Sequence, residues 1–131
     1  MVSGRVEVEG IMLPKAAGAI AASSFVVLDF AETSPYDAYA PYDKLHIFND
    51  SNSLLEVRPN QRRDKPHFVA GKTEKIISDI NLYTVYIGEL SGTAIPATGP
   101  GSVRLVVERS PIGADEFYKR MARKVGGLFG R

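Results

Sequence analysis

Hydrophobic and polar positions along the chain alternate with a period of two over short stretches. Residues 5–9 (RVEVE) alternate strictly, so the valines share one face and the charges the other. Residues 24–30 (SFVVLDF) form a mostly apolar run of β-branched and aromatic side chains between Ser-rich and Pro-rich flanks, as a strand requires. Residues 45–48 (LHIF) and 54–58 (LLEVR) flank Asn49-Asp-Ser-Asn-Ser53, whose side chains favour Asx and Ser turns, and this predicts a hairpin. Residues 72–78, 82–87 and 102–109 add three more strands, with YTVYI and VRLVVER the most regular. About seven short strands joined by Pro, Gly, Asn and Ser predict an all-β fold, an antiparallel β-sandwich or jelly-roll-like barrel over residues 1–110.

Two segments depart from this pattern. Residues 16–22 (AAGAIAA) are alanine-rich but carry Gly18, which predicts a turn of helix or a loop packed over one sandwich opening. After the break at Ser110-Pro111 and Gly113, residues 115–125 place Phe117, Met121 and Val125 on one helical stripe. Asp115 and Glu116 at its start and Arg123 and Lys124 at its end match the helix dipole. A helix of about eleven residues is not stable alone, so it leans on its own sandwich or on another chain. Residues 111–131 therefore read as a short C-terminal amphipathic helix and a flexible basic tail. Its end, Gly126-Gly-Leu-Phe-Gly-Arg131, offers Leu128 and Phe129 as an arm for a partner.

Composition narrows the chemistry. The chain has 131 residues, one domain's worth, with 16 Lys+Arg against 15 Asp+Glu. It has no Cys and two His, which removes disulfides, thiolate metal sites and Cys nucleophiles, so no cofactor is expected. The apolar stretch 16–28 is too short to span a bilayer, and Glu7, Glu9, Pro14 and Lys15 argue against a secretory signal. Synthesis in a cytoplasm is the expectation, with no transmembrane segment.

The near-neutral total hides a segregation of charge. Residues 115–131 hold five basic against two acidic side chains, a net of +3, which leaves −2 on the rest. Residues 29–43 carry Asp29, Glu32, Asp37 and Asp43 with no Lys or Arg, whereas residues 58–75 are strongly basic. Opposite patches on a small protein suit contacts with neighbours, including copies of itself, and equally suit solvated loops.

Three loops carry the interaction case. Residues 34–43 repeat Pro-Tyr-Asp around Tyr39, bringing Tyr36, Asp37, Tyr39, Tyr42 and Asp43 into one stretch. Tyrosine gives a large contact with a polar tip, and proline lowers the entropy lost on ordering, although the same tyrosines also suit capping an open sandwich end. The basic loop 58–66 contains Arg62 and Arg63 but no aromatic until Phe68. Nucleic-acid binding through bases needs stacking side chains among the charges, so no specific nucleic acid is expected. Residues 91–101 are almost uncharged and long for a hairpin.

Motifs of catalysis fail on their own chemistry. Gly71-Lys72-Thr73 ends like a phosphate loop, but Pro66 stands where its first glycine is needed. A calcium loop begun at Asn49 or Asp50 lacks the glycine at its sixth position and the glutamate at its twelfth. His46 and His67 have no second ligand at metal-site spacing. The chain is not expected to be an enzyme.

The succession within residues 44–109 of Leu-His-Ile-Phe-Asn-Asp, Leu-Leu-Glu-Val-Arg-Pro-Asn, Val-Ala-Gly-Lys, Tyr-Thr-Val-Tyr-Ile and Gly-Ser-Val-Arg-Leu-Val-Val-Glu is similar to small β-sandwich structural proteins of tailed bacteriophage virions. The resemblance covers about half the chain. It implies a non-enzymatic virion component, a capsid decoration, minor capsid or head–tail part, bound to other virion proteins or to copies of itself. A carbohydrate- or ligand-binding sandwich, with Tyr36, Tyr39 and Tyr42 stacked on sugar rings, is the alternative.

Overall fold

A computed structural model describes residues 7–8 and 10–113. The strands are β1 (Glu7–Val8), β2 (Ile11–Ala16), β3 (Phe25–Asp29), β4 (Tyr42–Asn49), β5 (Leu55–Pro59), β6 (His67–Val69), β7 (Thr73–Leu82), β8 (Thr84–Glu89), β9 (Val103–Arg109) and β10 (Ile112–Gly113). They fall into two compact units. In the unit formed by the two ends of the chain, β1 pairs antiparallel with β10 through Glu7 opposite Gly113 and Val8 opposite Ile112.

The second unit, Met12–Arg109, holds two four-stranded sheets, ordered β2-β9-β4-β7 and β3-β8-β5-β6. Successive strands alternate between the sheets, except that β5 and β6 are neighbours in one of them. Eight antiparallel strands in this order form a jelly roll, the second of the two architectures the alternation allows.

Alternation explains the core. From β4 the inward side chains are Leu45 and Ile47, from β5 Leu55 and Val57, from β8 Val85 and Ile87, and from β9 Val103, Leu105 and Val107, all without accessible surface. Each contributes about 1.5–3 kcal/mol by leaving water. Residues 17–24 form no helix; Ala17 and Ile20 are buried, and Ile20 makes an isolated bridge to Ile95 in the loop after β8.

The expected hairpin of residues 45–58 is not one. β4 pairs with β7 and β9, and β5 with β6 and β8, so the Asn-Ser run carries the chain from one sheet to the other. The side chains of Asn49, Ser51 and Ser53 face inward. The Asn49 amide donates to the carbonyls of Ser53, Ala70 and Val69 at 2.8, 3.1 and 3.2 Å, and its Oδ1 accepts from the Ser51 hydroxyl and amide. Turn-forming side chains here satisfy buried main-chain groups at a corner, a task indistinguishable by composition from closing a hairpin.

Two strands of the jelly roll escape the pattern for physical reasons. β2 contains Pro14, a residue unsuited to the interior of a sheet, but β2 is an edge strand, where proline is tolerated. β6 has three residues, too few for alternation to register.

Candidate functional site

The two central strands of the β3-β8-β5-β6 sheet are β8 and β5, and their outer face is the feature of the molecule that the fold leaves unexplained. Register fixes its rows. Phe25 lies opposite Gly88, Gly88 opposite Glu56, and Glu56 opposite Phe68. In the next row Val27 faces Tyr86 and Tyr86 faces Arg58. At the other end Leu54 and Leu90 continue the β5-β8 ladder, the Leu90 amide donating to the Leu54 carbonyl at 2.9 Å.

The middle of this face is organised around one ring. Tyr86 stacks on Phe25 with centroids 4.9 Å apart and planes at 24°. The Arg58 guanidinium lies 4.3 Å from the Tyr86 centroid and donates through Nε to Glu56 Oε2 at 2.5 Å. That hydrogen bond to Glu56 raises the Arg58 pKa and keeps the cation fixed. Gly88 makes room for the arrangement, because a Cβ there would come within 3.1 Å of the Tyr86 ring. Around this cluster stand exposed hydrocarbon groups: Phe25 and Phe68, both more than half accessible, with Val27, Leu54 and Leu90.

Just beyond this face β8 ends on Glu89, which turns inward and is 2% exposed. Burial alone would raise its pKa, but the amides of Ser23, Ser91 and Gly92 and the Ser53 hydroxyl outweigh that and hold it at about 2. The amides of Ser23, Ser91 and Gly92 reach its oxygens at 2.8 Å, and that of Thr93 at 3.2 Å. One ionised carboxylate thus ties the loop before β3 to the loop after β8 and fixes the end of the apolar face.

The sequence-derived residues sit elsewhere. Tyr42 has no accessible surface; its hydroxyl donates to the Tyr36 carbonyl at 2.7 Å, its ring meets Phe30 edge-on at 5.9 Å, and burial pushes its pKa up to about 12. Tyr36 is half-buried, its ring edge-on to Phe30 at 5.4 Å and its hydroxyl donating to the carbonyl of Pro14 on the β2 edge. Tyr39 is half-buried too, with its carbonyl accepting from Arg109 Nη1 at 3.0 Å and the same guanidinium 5.6 Å from its ring. The loop thus gathers its three tyrosines around Phe30 and Arg109, folded back on the sandwich, and Tyr42 in particular has no face to stack on a sugar. Asp37 is exposed and Asp43 half-buried. Arg62 is engaged by Asp64 in a two-pronged ion pair at 2.7 and 3.0 Å, while Arg63 is exposed. Phe117, Met121, Val125, Leu128 and Phe129 lie outside the described residues.

Phe25, Val27, Tyr86, Arg58 and Phe68 were not singled out by the sequence reading. The available sign was the run FVVL in β3, apolar at successive positions and so on both faces of its strand. In a sandwich of two layers only one of those faces can enter the core.

Among the described residues no three His, Cys, Asp or Glu side chains come together as a metal site, and no helix is long and apolar enough to cross a membrane. No family model matches the chain, and no curated protein does. Among solved structures the chain is similar to the coat protein of Tobacco streak virus, determined as a dimer, with a TM-score of 0.42 at 7% identity over 78% of this chain and 87% of that one.

Proposed function

We propose that this protein is a non-enzymatic structural subunit that holds neighbouring protein subunits through the outer face of its β3-β8-β5-β6 sheet. One observation carries the reading: that face is apolar and aromatic where an antiparallel sandwich in water sets polar side chains. Contiguous exposed hydrocarbon of this kind marks an interaction surface. A pre-stacked Phe25–Tyr86 pair and an arginine held by Glu56 lose little side-chain freedom on contact, and Tyr and Arg are the residues on which interface energy concentrates.

The particle we assign it to is a virion. Jelly rolls are a recurrent architecture of viral capsid domains, and the sequence resemblance implies the tailed-phage setting, with a capsid decoration, minor capsid or head–tail role. Exposed Asp37 and Arg63 suit the contacts between oppositely charged loops of neighbouring copies, and Leu128 and Phe129 are the side chains we assign to the C-terminal contact arm.

The test is sedimentation of producing-cell extracts on a density gradient. The protein is expected with particles, and Phe68→Glu, which changes a more than half exposed side chain, is expected to release it to the top. Wild-type protein that stays at the top, indistinguishable from Phe68→Glu, would overturn the assignment.

A further inference from the structure

The jelly roll has four sheet edges, and they are not alike. On β2, Pro14 has no amide hydrogen to offer and Tyr36 occupies its carbonyl. β6 is three residues long and follows Pro66. β7 carries Glu74, Lys75 and Asp79, the last at φ 57°, beside an irregular register with β4. These are the devices by which proteins blunt an edge: proline, brevity, charge and a bulge. β3 has none of them over residues 25–28, FVVL.

Its main-chain groups divide cleanly. The Glu89 amide donates to the Ser24 carbonyl at 2.8 Å and the Phe30 amide to the Tyr83 carbonyl at 2.8 Å, so the even-numbered residues of β3 face β8. The N–H and C=O groups of Phe25 and Val27 therefore point away from the sheet, and none of the described residues bonds them.

We infer that β3 pairs edge to edge with β3 of a second copy, joining two β3-β8-β5-β6 sheets into one continuous sheet of twice the width. This rests on the assembly reading above and names one of its contacts. The second copy is the occupant for two reasons. An unpaired strand edge asks for another strand edge, and of the four edges this chain presents only β3 is unguarded. An antiparallel strand is also its own complement about a two-fold axis. With the axis at Val26, Phe25 lies opposite Val27 of the second copy and the reverse, each pair exchanging N–H···O=C bonds in both directions. Apolar then meets apolar on the outer face, which runs unbroken from one copy's Tyr86 to the other's. Asp29 ends the register, since its Oδ1 accepts from the Ala31 and Glu32 amides and turns the chain away.

The experiment is sedimentation velocity of the full chain across the micromolar range, with Val27→Pro, Val27→Lys and Phe68→Glu. Val27→Pro removes an amide that bonds nothing within the sheet, and the proposed dimer loses it twice, so its dissociation constant should rise about 100-fold. Val27→Lys alters an exposed side chain and should weaken the dimer while leaving the melting temperature unchanged at concentrations where both proteins are monomeric. Amide exchange at Phe25 and Val27 should slow as wild-type concentration rises, which decides the matter should Val27→Pro not fold. A wild type that is monomeric throughout overturns β3 self-pairing and leaves the assembly reading to its gradient test. A dimer that survives both Val27 variants but dissolves with Phe68→Glu overturns the edge contact while supporting the face.

Discussion

On the outside of β2-β9-β4-β7, Lys44 stands 3.9 Å from Glu108, His46 stands 3.7 Å from Glu74, and Arg104 lies over Phe48. On the outside of β3-β8-β5-β6, comparable positions hold Phe25, Val27, Tyr86 and Phe68, with one ion pair among them. Ile76 and Met12 are exposed on the first sheet, but scattered singly among polar groups they need no explanation. Both sheets use the same alternation to fill the same core. The difference teaches that the inward half of the pattern specifies the fold, while the outward half records what each face meets.

The largest expected effect tests what holds the apolar sheet in place. Glu89→Ala strands three part-buried amides and should lower unfolding free energy by about 3 kcal/mol in urea titrations. Because the Glu89 pKa falls from 4.5 unfolded to about 2 folded, its contribution is complete above the upper value and lost as pH drops toward the lower. Stability that falls equally in Glu89→Gln over that window would break this account. Next, Tyr86→Ala removes the Phe25 stack and the Arg58 contact and should cost about 1–2 kcal/mol. A neutral result would mean that the aromatic cluster is decoration rather than a rigid platform. Phe68→Glu should leave stability within about 0.5 kcal/mol yet reduce binding of a hydrophobic dye, the pair of readings that separates a contact surface from core. Smallest is Lys44→Ala on the other sheet, about 0–0.5 kcal/mol with no change in association state, since its ion pair is partly exposed. Dissociation of an oligomer by Lys44→Ala would reverse the assignment of the two faces.

How much of this was legible follows from where the physics is local. The strands around Phe25–Asp29, Leu55–Pro59, Thr84–Glu89 and Val103–Arg109 announce themselves because side-chain period depends on the strand alone. Which sheet a strand joins does not. Asn49, Ser51 and Ser53 carry turn propensity whether they close a hairpin or plug a corner, and only the long-range bonds of Asn49 to Val69 and Ala70 distinguish the two. The tyrosine loop drew the eye by composition, yet Tyr42 serves the interior because Phe30 and the Tyr36 carbonyl are waiting for its ring and hydroxyl. The face built on Phe25 and Tyr86 was hidden because an apolar strand reads alike with one covered side or two, and the partners converge from β3, β5, β6 and β8 only after folding.

The carboxylate of Glu89 also decides where this scaffold accepts new sequence. Four amides from two loops share it, so residues 91–93 cannot be lengthened without dismantling an anchor that reaches back to Ser23. Gln61 to Pro66 are all exposed, and their main-chain bonds, Gln61 to Arg58, Arg62 to Pro59 and Lys65 to Arg62, stay within the same turn. A foreign peptide grafted there rides on the jelly roll without renegotiating it, which makes the basic loop the natural display site of the molecule.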